Sequence, residues 1–253
     1  MDDQYDAALD LLRRTSPQNV AQNLTLLCQQ SEDLAEDLLS SVDQPLELRT
    51  DAKGKQFLCC DYNRDGDSFR SPFTNEFVPP LEDADTLPPR VRRLEEAAND
   101  AFDTYRELYY EGGHASCYLW EQDADLAGVV LFQKKLPSSQ WDSVHVFEAL
   151  GSGKSRTYRL TSSVLLEIGK TASLSGSLTR QTERELPFES EVDHVANVGT
   201  LVEEMEGKLR SLLNVVYFGK TRDVLGDIRS VEPLSEVDEE RRLKQRVVNS
   251  LEK

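Results

Sequence analysis

The feature that limits the fold most is a run of five strand patterns between residues 114 and 182. Short turns such as DAD (123–125), LPSS (136–139) and GSGK (151–154) join the strands, without helical patterns between them. Parallel neighbours need a crossover connection of a dozen or more residues, so the run predicts a five-stranded antiparallel meander. The predicted strands are Ser116–Glu121, Leu126–Lys134, Trp141–Ala149, Ser155–Ile168 and Thr171–Arg180.

Helical patterns flank this predicted sheet, which gives an α+β fold class. Residues 1–44 contain three short amphipathic helices with tight turns, typical of an antiparallel helical stalk. Residues 45–89 are rich in Asp, Asn, Pro and Gly, and they predict irregular structure with one short strand at FLCCDY. Residues 90–113 predict a helix that ends at a Gly-Gly pair, and the sheet occupies residues 114–182.

A second long helix is predicted from Asp193 to about Phe218, within a segment 190–230 that continues into a basic extension. The helix would span roughly 40 Å, whereas a five-stranded sheet is only about 20–25 Å wide. We therefore expect a partner's sheet beneath the other half of the helix. The predicted interface residues are apolar and recur at helical spacing: Val198, Val202, Met205, Leu209 and Leu212.

Charge excludes some functional classes. The net charge of -17 argues against nucleic acid as the main partner, because phosphates favour Lys and Arg. Residues 219–253 carry eight basic and eight acidic residues and are thus neutral, so the acidic excess lies before them. The opening lacks a signal-peptide pattern and no run of 18 apolar residues occurs, so neither secretion nor membrane spanning is predicted. The four cysteines form no CxxC pair, which predicts reduced thiols and neither metal nor cofactor.

Residues 61–72, DYNRDGDSFRSP, imitate a calcium-binding loop. Asp61, Asn63, Asp65 and Gly66 occupy the first, third, fifth and sixth positions of the EF-hand pattern. The twelfth position needs a bidentate Glu and holds Pro72, and no helix enters the loop. We predict a turn that Asx side chains organise.

Two apparent catalytic patterns also fail. GSGKS (151–155) resembles a phosphate-binding loop, but Glu148 stands where that pattern needs a glycine, and the segment joins two strands. Neither His114 nor His145 lies in a sequence pattern that is typical of a catalytic nucleophile. The sequence therefore predicts a protein that is not an enzyme.

Five segments carry a family resemblance in order along the chain. They are LLSSVDQPL (38–46), CDYNRDGDSFRSPFTN (60–75), LEEAANDAFDTYRELYYEGG (94–113), GSLTRQ (176–181) and NVVYFGKTRDVLGDIRS (214–230). Together they resemble the beta subunit of F-actin capping protein. Phe69 and Phe73 depart from the family, which has Tyr and Trp there.

The resemblance implies a heterodimer with a structurally similar alpha subunit, in which two sheets join and long helices cross them. It implies that the complex binds barbed ends of actin filaments without calcium and blocks subunit addition and loss. Each subunit ends in a mobile tentacle that contacts actin, and Lys220, Arg222 and Arg229 match the basic attachment patch near its base. Dynactin, phosphoinositides and capping-protein-interaction motif proteins are the further partners implied, in the cytoplasm and the cortical actin cytoskeleton.

The tail at residues 231–253 supports this expectation by its own pattern. Leu243, Val247 and Leu251 recur every four residues, and basic residues flank them, which suits binding in a groove of an acidic partner. The predicted actin-binding residues are Arg241, Arg242, Lys244, Val247, Val248 and Leu251. The alternatives are a C-terminal helix packed on its own domain, and a heterodimerisation scaffold that makes no contact with actin.

Overall fold

The computed structural model describes residues 20–31, 45–81, 84, 87–122, 125–151, 153–168, 174–215 and 219. Helix α1 (Val20–Gln30) lies within residues 1–44, where the sequence predicts three short helices. Residues 1–19 and 32–44 of the predicted stalk, and the tentacle, lie outside the described residues. None of the described helices is long and apolar enough to cross a membrane.

Residues 45–81 contain more regular structure than the sequence predicts. Strands β1 (Glu47–Thr50) and β2 (Gln56–Cys59) form an antiparallel hairpin. Strand β2 covers the first three residues of the predicted strand FLCCDY, whereas Asp61–Asn63 form a 3-10 helix. The Asp51 carboxylate closes the hairpin by accepting hydrogen bonds from the amides of Lys53 and Lys55, both at 2.9 Å. A second antiparallel sheet follows, with strands β3 (Arg64–Asp65), β4 (Ser68–Arg70) and β5 (Phe77–Val78).

Helix α2 (Pro89–Tyr109) begins at a proline in its first turn, where a missing amide hydrogen costs nothing. It ends before Gly113, which must be a glycine: an added Cβ would lie 2.5 Å from the Gln133 carbonyl oxygen. The helical spacing of its apolar residues predicts one apolar face that includes Ala101 and Leu108, but both of these residues are exposed. The buried face of α2 consists of Val91, Leu94, Glu95, Ala98, Asn99 and Phe102.

The five-stranded meander is confirmed, with strand order β10-β9-β8-β7-β6 and antiparallel pairing throughout. Its strands are β6 (His114–Gln122), β7 (Asp125–Leu136), β8 (Ser139–Leu150), β9 (Ser155–Ile168) and β10 (Leu174–Pro187). Strand β10 runs seven residues beyond the predicted end at Arg180. Its polar residues remain in the strand because β10 lies at the edge, where they reach solvent.

Helix α3 (Asp193–Leu213) follows β10 and has 21 residues, about 31 Å at 1.5 Å per residue. Its first turns pack with α2 on one face of the sheet. The side chains that meet there include Ala98 and Phe102 of α2, Cys117, Leu119, Leu126 and Phe147 of the sheet, and Val195 and Val198 of α3. On the opposite face, Leu58 of β2 packs with Tyr118, Val129 and Leu131. The sheet is therefore the centre of the core.

Candidate subunit interface

Strand β10 forms one edge of the five-stranded sheet and pairs with β9 alone among the described strands. All fourteen of its residues pair with β9, from Leu174 opposite Ile168 to Pro187 opposite Ser155. Every residue from Ser177 to Pro187 is exposed or partly exposed. A long, regular edge strand presents backbone groups to which another strand can add.

Polar pairs between β9 and β10 fix the register of this edge. Arg159 donates to Glu183 at 2.7 Å, and the hydroxyl groups of Ser163 and Thr179 lie 2.7 Å apart. A shift by one residue would place each of these partners on the opposite face of the sheet. The β10 edge is therefore held in one defined register.

The connection from β10 to α3 is held by its own contacts. The amide of Phe188 donates to the Lys154 carbonyl at 2.9 Å, and the buried Phe188 ring lies 4.1 Å beneath the guanidinium carbon of Arg156. Asp193, the first residue of α3, holds the preceding loop by accepting from the amides of Glu189 and Ser190, both at 2.8 Å. These two hydrogen bonds lower the pKa of the Asp193 carboxyl group, because they favour its charged form.

A buried polar cluster fixes the start of α3 over β9. The Tyr158 hydroxyl lies 3.0 Å from Nδ1 of His194, and Nδ2 of Asn197 donates to the Tyr158 oxygen at 3.2 Å. Asn197 also donates to the carbonyl of Pro187 at 2.9 Å. The end of β10 and the start of α3 therefore form one continuous, well-supported unit.

Four of the five predicted interface residues of α3 are buried. Val198, Val202, Met205 and Leu209 expose between 0% and 3% of their surface, and Leu212 is partly exposed. Their contact with a partner stays a prediction. The edge of β10 was not predicted, because residues 179–185 are all polar and give no alternating apolar pattern that would indicate a strand.

The other predicted binding residues lie in residues 220–253, outside the described part of the chain. These are Lys220, Arg222 and Arg229 of the basic attachment patch, and Arg241, Arg242, Lys244, Val247, Val248 and Leu251 of the tail. Their roles stay predictions.

The segment that imitates a calcium loop is a compact turn. Asn63 is buried and holds the turn by accepting from the Cys60 amide and donating to the Arg70 carbonyl, both at 2.9 Å. The Arg64 guanidinium group donates to the Gly66 carbonyl at 2.7 Å and lies 3.8 Å from the Asp61 carboxylate. Across the described residues, no three His, Cys, Asp or Glu side chains are grouped to hold a metal ion.

The two patterns rejected as catalytic have structural roles. GSGK is the turn between β8 and β9, with φ of +110° at Gly151 and +97° at Gly153, a region that favours glycine. The buried His145 ring has its Nδ1 atom 2.8 Å from the Ser162 hydroxyl oxygen, between neighbouring strands. Neither arrangement places a nucleophile at an open surface.

The cysteines are free thiols in the described residues. Burial raises the pKa of Cys59 and of Cys60 to about 12, and it raises the pKa of Cys117 well above its usual range. These thiols are therefore protonated at neutral pH and suit packing rather than chemistry.

Comparison with known proteins identifies the family. The sequence model described as "F-actin capping protein, beta subunit" matches residues 5–225. The F-actin-capping protein subunit beta of Emericella nidulans is 52% identical over 264 residues, covering 100% of this chain and 99% of that protein. The Neurospora crassa protein of the same name is 48% identical over 284 residues and covers 99% of this chain and 98% of its own length.

The fold also has a solved counterpart. The homodimeric actin capping protein alpha subunit from Plasmodium berghei superposes with a TM-score of 0.60 at 14% identity, covering 92% of this chain and 98% of that chain. At that identity the likeness concerns the fold alone. Matches over nearly the full length at about half identity do establish the family. The chain belongs to the F-actin capping protein beta-subunit family.

Proposed function

We propose that this chain is the beta subunit of a heterodimeric F-actin capping protein. Together with an alpha subunit it binds the barbed end of the actin filament and blocks the addition and loss of actin subunits. The observation that carries the proposal is the family match over residues 5–225, at about half identity to named beta subunits along their whole length. The role is one of binding, without enzymatic chemistry.

The alpha subunit joins at the edge of β10. This strand is long, regular and exposed, and its register is fixed by the Arg159–Glu183 and Ser163–Thr179 pairs. A second sheet that adds there gives one continuous sheet beneath the long helices. Of the predicted interface residues of α3, Leu212 is partly exposed and can therefore contact a partner without a change in the fold of this chain.

Contact with actin is assigned to the basic attachment patch and the tail. The patch provides electrostatic attraction to the filament end, and the apolar edge of the tail provides the lasting contact. The same complex is the form that dynactin, phosphoinositides and capping-protein-interaction motif proteins would engage. Its expected location is the cytoplasm, at cortical actin structures.

Capping proceeds without calcium in this proposal. Two residues that would have to bind the ion make other contacts. The Asn63 side-chain oxygen accepts a hydrogen bond from the Cys60 amide, and the Arg64 guanidinium group lies 3.8 Å from the Asp61 carboxylate. Position twelve of the loop is Pro72, which offers no carboxylate.

The test is co-expression with an alpha subunit followed by elongation of actin from filament seeds. A heterodimer that stops elongation equally in calcium and in a chelator is expected. A stable heterodimer that leaves elongation unchanged would favour the alternative, a dimerisation scaffold without actin contact. A chain that remains monodisperse and cooperatively folded without the alpha subunit would count against obligate pairing.

A further inference from the structure

We infer that Glu95 and Asn99 of α2 close the β6 edge of the sheet and thereby determine that assembly stops at two subunits. The inference rests on the proposed function, because it concerns how the alpha and beta sheets join. It names specificity-determining residues that lie far from the joining strand, at the opposite edge of the same sheet.

Asn99 acts on the backbone of β6 in the way that a neighbouring strand would. Its Nδ2 atom donates to the Cys117 carbonyl at 2.8 Å, and its Oδ1 atom accepts from the Cys117 amide at 2.9 Å. The side chain is buried, with 6% of the residue exposed. Both outward-facing backbone groups of Cys117 are therefore occupied.

Glu95 closes the next outward-facing position. Its Oε2 atom accepts from the Leu119 amide at 2.9 Å, and the residue is fully buried. Two arginines neutralise this buried charge: Arg70 donates to both carboxylate oxygens at 2.7 Å, and Arg92 donates to Oε1 at 2.8 Å. A buried carboxylate is tolerated when it is paired and hydrogen-bonded in this way.

The spacing of helix and strand explains why the closure works over several residues. Four helical residues rise about 6.0 Å, and two strand residues rise about 6.6 Å. Helix positions four apart therefore meet strand positions two apart, which point in the same direction. Glu95 and Asn99 meet Leu119 and Cys117, and the helix runs antiparallel to β6.

The two edges of the sheet thus differ in the described residues. At β6, side chains from α2 occupy outward backbone groups, and Cys117 to Leu119 are buried. At β10, residues 177–187 are exposed or partly exposed. A chain with two open edges can add a partner on each side and extend without limit, whereas one open edge ends assembly at a pair.

The test compares two variants of the co-expressed heterodimer by mass photometry at rising concentration. Asn99→Ala removes the closure at Cys117. Val164→Ala is the matched control, since Val164 is fully buried on β9 and lies away from the β6 edge. We expect Asn99→Ala to raise amide exchange at Cys117 at least tenfold and to populate assemblies larger than one heterodimer. Val164→Ala should remain a single heterodimer.

Two results would overturn the inference: Asn99→Ala staying a single heterodimer although Cys117 exchanges faster, or Val164→Ala forming the same larger species. If Asn99→Ala does not yield a soluble complex, Asn99→Ser leaves a hydroxyl group at the site and is measured in the same way against the same two results. Capping of filament ends by the wild-type complex is measured separately. A heterodimer that assembles but does not cap filament ends would refute the proposed function. The closure of the β6 edge would still be decided by the amide-exchange and mass-photometry results.

Discussion

Removing the charge of Glu95 should open the contact between α2 and the sheet. Glu95→Gln keeps an oxygen for the Leu119 amide but leaves the Arg70 guanidinium group, with 8% of its side chain exposed, without its carboxylate. Losing one partner of a buried ion pair costs about 3–5 kcal/mol, because the remaining charge stays buried. Every 1.4 kcal/mol is a factor of ten, so the open population should rise roughly 100- to 4,000-fold.

The Cys117 thiol is a built-in reporter of this opening. It is fully buried where α2 meets the sheet, and burial raises its pKa well above the usual range. Alkylation therefore requires α2 to move away from the sheet first. The rate of Cys117 alkylation in the heterodimer, followed by peptide mass spectrometry, should increase by the same factor as the open population, up to the rate of the unfolded chain.

Glu96→Gln is the matched control for this experiment. Glu96 is the next residue of α2 and also contacts Arg92, at 3.0 Å, but 56% of its side chain is exposed. Exposed pairs contribute about 0–1 kcal/mol, so Cys117 labelling should change less than about fivefold. Equal labelling rates for the Glu95 and Glu96 variants would refute the reasoning that the buried pair holds α2 in place.

Three further predictions concern the pH dependence of stability, the rate of attachment to barbed ends and the residence time at those ends. Burial raises the pKa of Asp142, so its contribution to stability is present at low pH and is lost as pH rises through the folded pKa. The melting temperature of Asp142→Asn should therefore rise relative to that of wild type as pH rises from 4 to 7. A relative rise in the wild-type melting temperature would contradict this. Neutralising the basic attachment patch should slow attachment to barbed ends, most strongly at low salt, in single-filament kinetics. Replacing Val247 and Leu251 with Ser should shorten residence tenfold or more with attachment nearly unchanged, at about 1.5–3 kcal/mol per buried aliphatic group.

The central sheet could be predicted from the sequence because its connections are short. Turns such as GSGK leave no room for a crossover helix, so pairing order follows chain order. The last seven residues of β10 escaped prediction because TERE looks like a loop when its pairing partner is unknown. Strands β3 and β5 have two residues each, too few for any periodic pattern to appear.

The closure of the β6 edge could not be predicted from periodicity. Glu95 and Asn99 flank the apolar stripe of α2 and read as solvent-exposed polar residues, as charged helix positions usually are. Their burial depends on Arg70, 25 residues earlier, and on the backbone of β6. A polar pair four residues apart beside an apolar stripe, followed by a strand, was the signal available in the sequence.

Filament ends observed one at a time test the central claim most directly. Single actin filaments grown under the microscope carry both ends, so the pointed end is an internal control for free actin concentration. The purified heterodimer of this chain with an alpha subunit, at nanomolar concentration and in a calcium chelator, should stop growth at barbed ends while pointed ends continue. Barbed ends that keep growing at the uncapped rate, with the heterodimer verified as intact, would contradict the assignment of this chain as a capping subunit.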